Sequence, residues 1–200
     1  MKGKSDMPCN HLAGMTAYLS GSIEASKDNG TEWRKQFIEL CWKKDLHISF
    51  IDPCNKGPGA IQEEIGEERQ RLKQLKASGN FEEVTKIMKS VRKWDLRAVD
   101  YSSMVVVMID KDVPTWGTPD ECIVAERQRK PIIGIVKGGP KNAPDWTFAV
   151  MRYQEMFESI EEAIEYLIKL NNGTIPLDKR WISIEEQRKP FFGPVCKLSV

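Results

Sequence analysis

Histidine is nearly absent: His11 and His47 are the only two, and neither has metal-like neighbours, which speaks against histidine acid–base chemistry and against a histidine metal site. The five cysteines (Cys9, Cys41, Cys54, Cys122, Cys196) are scattered, odd in number and free of any C-x-x-C pair, so neither a disulfide framework nor a zinc cage is expected. No stretch approaches the roughly 20 apolar residues of a membrane span, and residues 1–10 lack the apolar run of a secretory signal. Together these absences predict a reducing, cytoplasmic setting. An excess of charge is missing too: 30 lysines and arginines face 29 acids, and a net charge of +1 leaves no electrostatic footprint for polymeric nucleic acid or an anionic membrane. A small-molecule partner fits better. There is no internal repeat and no low-complexity tract.

What is present is an alternation of short apolar runs with amphipathic or charged segments. Two hundred residues suffice for one domain with a full core and are too few for two of ordinary size, so a single domain over 1–200 is expected. Thr16 onward reads as a short buried strand ending in small residues, and Trp33, Phe37, Leu40 and Cys41 keep helical spacing. Leu46 to Ile51 is a second strand, stopped by Asp52-Pro53. Residues 57–93 are rich in Glu, Lys, Arg and Gln and broken by Ser78-Gly79-Asn80, which predicts a charged, solvated helical hairpin whose second helix continues to about Val99. Met104 to Ile109 is an uninterrupted apolar run of the kind buried on both faces of a parallel sheet.

Thr118-Pro119 then opens a helix, with Thr118 as N-cap and proline at the first helical position, and Lys130-Pro131 closes it. Ile132 to Val136 is the next strand, 137–144 a Gly- and Pro-rich loop, and Ile160, Ile164, Leu167 and Ile168 mark a last amphipathic helix. Past Asn171 only Trp181, Phe191 and Phe192 are core-forming, so 171–200 reads as a C-terminal arm. The fold class predicted is α/β: three layers, a mostly parallel flavodoxin- or Rossmann-like sheet with helices on both faces, plus the hairpin insertion.

Ligands of such sheets collect beyond the carboxyl ends of the strands, which directs attention to the loops after Leu19, Ile51, Ile109 and Val136. Ser20-Gly21-Ser22 offers two hydroxyls and a closely approachable backbone, or is simply a tight turn. Asp95 shares a helical face with Val84, Met88, Val91 and Val99, where burying an acid demands a partner; an ion pair with Arg92 or Arg97 is the plain explanation and a site role the other. Glu121 closes a Thr118-x-x-Glu121 capping box, or it is a carboxylate kept ionised by the helix dipole and aimed into the crevice. Trp116 and Trp146 are candidates to stack on a base, or partial core. Two carboxylates suit glycosidic chemistry, in which one stabilises and captures a cationic sugar while the other manages the proton.

Three segments in order resemble the nucleoside 2-deoxyribosyltransferase superfamily, which includes the 2′-deoxynucleoside 5′-monophosphate N-glycosidases: Ala17-Tyr18-Leu19-Ser20-Gly21-Ser22-Ile23, Trp94-Asp95-Leu96 before the central strand, and Gly117-Thr118-Pro119-Asp120-Glu121 with Ala125. The resemblance implies Glu121 as nucleophile, Asp95 as the acid that assists the leaving base or positions the sugar, and Tyr18 as the neighbour that orients Glu121. It implies substrate contacts from Ser20, Gly21, Ser22, Ile23, Gly117 and Thr118, and a further carboxylate for which Asp110 and Asp112 are the candidates. It also implies a nucleoside or nucleotide as the small-molecule partner, a homo-oligomer, and no cofactor or metal. Members often carry glycine two residues after the nucleophile, where this chain has Ile123.

The expected activity is therefore cleavage or exchange of an N-glycosidic bond through a glycosyl-Glu121 intermediate, with transfer to another base as the first reading and hydrolysis of a 5′-monophosphate as the second. A non-catalytic nucleotide sensor is the reading from another class. The Gly-Thr-x-x-Glu string is also similar to that of the phosphoribohydrolases that free cytokinin bases, but Val113-Pro114-Thr115-Trp116 stands where those enzymes begin their motif with a Pro-Gly-Gly run.

Overall fold

The structure, a computed structural model, describes residues 10–56 and 65–181. Its centre is β1 (Thr16–Gly21) beside β3 (Met104–Ile109), and every residue from Met104 to Val107 is fully buried. A run with no polar residue needs cover on both faces, and both faces are covered. Strand β4 (Ile132–Val136) pairs with the far side of β3, β5 (Met156–Phe157) with β4, and β2 (Ser49–Ile51) with the near side of β1. The sheet is all-parallel, in the order β2-β1-β3-β4-β5. The order reverses between β1 and β3, so a crevice opens beyond their carboxyl ends.

The two-residue period of the strands sorts side chains between the faces. Ala17, Leu19, Met104, Val106, Ile133 and Ile135 pack with Phe37 and Cys41 of α1 (Thr31–Lys43) and with Ile164 and Leu167 of α6 (Ile160–Asn171). Tyr18, Val105, Val107, Ile132 and Val136 pack with Ala98 and Val99 of α3 (Phe81–Tyr101) and with Cys122 and Ala125 of α4 (Gly117–Arg127). The outcome is the expected three-layer α/β architecture. No helix among the described residues is long and apolar enough to cross a membrane.

The charged hairpin forms as α2 (Gly66–Ala77) and α3, joined by Ser78-Gly79-Asn80, with the Asn80 side chain accepting from the Glu83 N–H; residues 57–64 lie outside the described part. Leu72 is the one buried residue of α2, so that helix is solvated, whereas the second half of α3 belongs to the core.

Several expectations needed adjustment. Strand β2 is shorter than 46–51 because His47 takes a φ of 49°, which a ladder does not tolerate, although Leu46 and Ile48 remain buried. The two-residue β5 and the short α5 (Thr147–Val150) have no periodicity to announce them. Of the C-terminal arm, the described part packs on the domain: Trp181 is fully buried, and Arg180 forks onto Glu155 at 2.6 and 2.8 Å and onto Asp178. Phe191 and Phe192 lie outside the described residues.

Arg34 fastens the carboxyl end of β1 to the start of α1. Fully buried, it donates to the carbonyls of Leu19 (3.2 Å), Gly30 (2.6 Å) and Gly21 (3.0 Å), and Asp52 stands 3.5 Å away. Gly30 has a φ of 68°, and a Cβ there would lie 2.5 Å from both the Ser22 carbonyl oxygen and Arg34 Nη1, so only glycine fits. Arg34→Met removes three donors and leaves buried carbonyls unsatisfied; we expect a loss on the order of 3 kcal/mol in urea unfolding, which Arg34→Lys does not restore because an ammonium lacks the planar fork.

Candidate active site

The alternation along β1 that sends Ala17 and Leu19 under α1 sends Tyr18 and Ser20 under α4, and the α4 side chain that meets them is Glu121. Tyr18 Oη donates to Glu121 Oε1 at 2.8 Å, and Ser20 Oγ donates to Oε2. The capping box is therefore not made. Helix α4 begins at Gly117, its N-cap Trp116 makes no side-chain cap bond, and the Thr118 hydroxyl pairs with that of Thr115 at 3.0 Å. Pro119 consequently sits inside the first turn, two residues past the first helical position.

Glu121 is 8% exposed. Burial pushes its pKa from an ordinary 4.5 to about 7; the Ser20 hydroxyl opposes the rise, the charge of Asp95 adds to it, and Tyr18 and Arg34 oppose it. This departs from a carboxylate kept ionised by the helix dipole. The dipole acts within the first turn, Glu121 is the fifth residue of α4, and desolvation prevails.

Asp95 is buried on the inner face of α3 with Val91 and Val99, while Met88, further out on the same stripe, is exposed. Its ion-pair partner is neither Arg92 nor Arg97 but Lys56, whose Nζ is 3.4 Å from Oδ1; Arg92 instead grips Asp120 at 2.7 and 3.2 Å. Lys56 is 3% exposed and lies 4.6 Å from the centre of the Trp94 ring. Sequence reasoning missed this lysine. Its one signal is position, in a loop after the carboxyl end of β2.

Asp95 and Glu121 line one cleft of about 1030 Å³, together with Gly21, Ser22 and Ile23 from the loop after β1, Trp116, Gly117 and Thr118 from the start of α4, and Arg69 from α2. A Cβ on Gly117 would lie 4.0 Å from Glu121 Oε1, so the bare glycine leaves that flank of the carboxylate uncovered. Tyr18 and Ser20 are fully buried behind Glu121 and are not part of the lining; Ser20, expected to face the ligand, spends its hydroxyl on the glutamate. Nor does Asp110 join the two acids. It lines a neighbouring cleft of about 610 Å³ with Trp33 and Trp146, and a hydrogen bond from Lys137 at 2.8 Å holds its carboxyl below the usual range. Ser22 and Thr118 border both clefts. Asp112 is exposed and paired with Lys111. Among the described residues no group of three or more His, Cys, Asp or Glu side chains converges as a metal site.

The loop between β1 and α1 is braced from within. The Asp28 carboxylate accepts from the Ser26 hydroxyl (2.6 Å) and from the N–H groups of Glu32 and Gly30 (3.0 Å each), and these bonds hold its pKa down at about 2.

No family model and no curated protein matches the chain. A crystal structure of a conserved protein from Enterococcus faecalis V583 is similar over 80% of this chain and 89% of that one, at 15% identity and a TM-score of 0.42, a likeness too slight to carry an argument.

Glu121 has a stability consequence. With its folded pKa raised from 4.5 to about 7, its contribution is fully present below pH 4.5 and is lost as pH rises through 7. We expect Glu121→Gln to be close to neutral for stability at pH 4 and stabilising by roughly 3 kcal/mol at pH 8.5, measured by denaturant unfolding at the two pH values. An equal effect at both would contradict the burial argument.

Proposed function

We propose that the chain is a nucleoside 2-deoxyribosyltransferase-like enzyme that cleaves or exchanges the N-glycosidic bond of a nucleoside or nucleotide, with Glu121 as nucleophile. The observation that carries the reading is the meeting of two acids, remote in sequence, on one cleft at the switch point of the sheet, one of them braced on both oxygens by Tyr18 and Ser20.

In the first step Glu121 bonds to the anomeric carbon as the C1–N bond breaks; the base leaves with that electron pair and is protonated by a water molecule in the open cleft. The developing sugar cation favours a carboxylate brought out of water, because charge interacts more strongly in a dry site. Tyr18 and Ser20 hold the carboxylate against rotation, so one oxygen faces the sugar without reorganisation. Asp95, salt-bridged to Lys56, positions the sugar. In the second step an acceptor base, or water, attacks C1, the bond between C1 and the Glu121 oxygen breaks with its electron pair returning to the carboxylate, and the acceptor's proton passes to water. Transfer and hydrolysis differ in the acceptor alone. This reading carries with it a cytoplasmic homo-oligomer acting on a small molecule.

The test is turnover of a panel of deoxynucleosides and their 5′-monophosphates, with and without a free acceptor base. Base exchange identifies a transferase, release indifferent to the acceptor identifies a hydrolase, and binding without turnover points to a sensor and overturns the proposal. Glu121→Gln should lower kcat at least about 1,000-fold while binding persists.

Because the nucleophile reacts ionised, kcat/KM should climb with pH through about 7. The Ser20 hydrogen bond lowers the Glu121 pKa, so Ser20→Ala should move that limb to higher pH. A pH profile identical in wild type and Ser20→Ala would remove the serine from the mechanism.

A further inference from the structure

The cleft beside that of Glu121 takes no part in the two-acid chemistry, yet it is built like a ligand site. Its volume of about 610 Å³ falls in the range of small-molecule sites, and neither Glu121 nor Asp95 lines it. Val107, Ile109 and Ile135, from the carboxyl ends of β3 and β4, give it an apolar floor, and two tryptophans stand in its walls. Trp33 is fixed: a Cβ on Gly21 would lie 3.2 Å from its ring, and the Arg34 guanidinium is 4.7 Å from the ring centre. Trp146 is 72% exposed, an indole left in water at the rim.

The charged groups of this cleft are chiefly acceptors. Asp110 and Lys137 leave β3 and β4 side by side, with the Lys137 N–H donating to the Ile109 carbonyl at 2.9 Å and the two side chains pairing at 2.8 Å. Asp110 accepts one further bond, from the Asp112 N–H at 3.0 Å. A carboxylate offers about four acceptor positions, so roughly half of its capacity is unspent. Both lysines of the lining are bound to an aspartate, Lys137 to Asp110 and Lys111 to Asp112, and no cation among the described residues pairs with Glu158. With Glu161, the lining sets three carboxylates against two ammonium groups, which suits a ligand that brings donors. Flat indole walls suit one that is planar and aromatic.

We infer that this cleft is a second ligand site, for a planar amino-substituted heteroaromatic ring, distinct from the place where Glu121 acts. The ring lies along the indole walls and turns its N–H edge to Asp110. Ser22 and Thr118 border both clefts, so the ring adjoins whatever occupies the first. The inference does not rest on the reaction assigned to Glu121 and is tested by binding alone.

The probes are adenine and unsubstituted purine, which lacks the amino group, each titrated into the chain and followed by tryptophan fluorescence and calorimetry. Wild type should bind adenine saturably and on the order of 10-fold more tightly than purine. Trp146→Ala should weaken adenine on the order of 10-fold, and with that side chain largely in solvent the variant is expected to stay folded. Trp116→Ala, which truncates the exposed tryptophan of the Glu121 cleft, should leave adenine binding within about 2-fold, and so should Glu121→Gln. Asp110→Asn should remove most of the preference for adenine while leaving purine within about 2-fold. Adenine binding that is indifferent to Trp146→Ala, or that is lost with Trp116→Ala or Glu121→Gln, would overturn the assignment, as would the absence of saturable binding. A preference for adenine that survives Asp110→Asn would overturn the edge contact.

Discussion

Taking a carboxylate almost entirely out of water is costly, and position 121 tolerates one because two hydroxyls of β1 stand where that water would be. Hydrogen bonds to a charged group contribute about 1.5–3 kcal/mol each, while the effective penalty of burying an ion runs to several kcal/mol. The pKa of about 7 records the outcome: the hydroxyls offset part of the cost, and the remainder is left as a carboxylate that sheds or takes a proton near neutrality. The rest of the site depends on this contact. It requires β1 to present Tyr18 and Ser20 to the same face, β3 to lie beside β1 so that α4 crosses above them, and α4 to start where its fifth residue points down.

The surroundings serve that geometry. Arg34 closes the end of β1 by gathering three carbonyls, and Gly30 is the residue that lets the loop pass close enough for it to do so. Asp28 fixes the same loop from the other end. On the opposite wall the salt bridge between Asp95 and Lys56 keeps a charged α3 residue acceptable inside an otherwise apolar face. A charged pair this deep adds little to stability relative to apolar packing, which makes its presence beside a cleft informative about what the cleft does.

Two described helices carry, at or near their start, a hydroxyl residue followed three positions later by glutamate, and they show how far local pattern reaches. At α6 the motif acts as a cap: Ser159 Oγ accepts from the Glu162 N–H at 3.2 Å, and the Glu162 carboxylate accepts from the Glu158 N–H at 2.9 Å. At α4 the same spacing produces no cap, because Tyr18 and Ser20, a hundred residues away in sequence, offer Glu121 better donors. The hydroxyl-x-x-Glu spacing by itself does not distinguish them. For Asp95 the buried face was legible from spacings of three and four, but its partner was not, since Lys56 comes from a loop with no periodicity at all.

The layered α/β architecture, the central strand Met104–Ile109 and the hairpin with its Ser78-Gly79-Asn80 turn were determined by the sequence alone, because hydrophobic period and turn chemistry are local properties that a short window contains in full. Which acids share a cleft was decided only by tertiary structure. Convergence of Glu121 with Asp95, the separation of Asp110 into a neighbouring cleft, the pairing of Lys56 with Asp95 and the place of Arg69 in the cleft lining all depend on strand order and on which helix crosses which strand. Those are long-range relations, and no residue's own neighbours along the chain encode them.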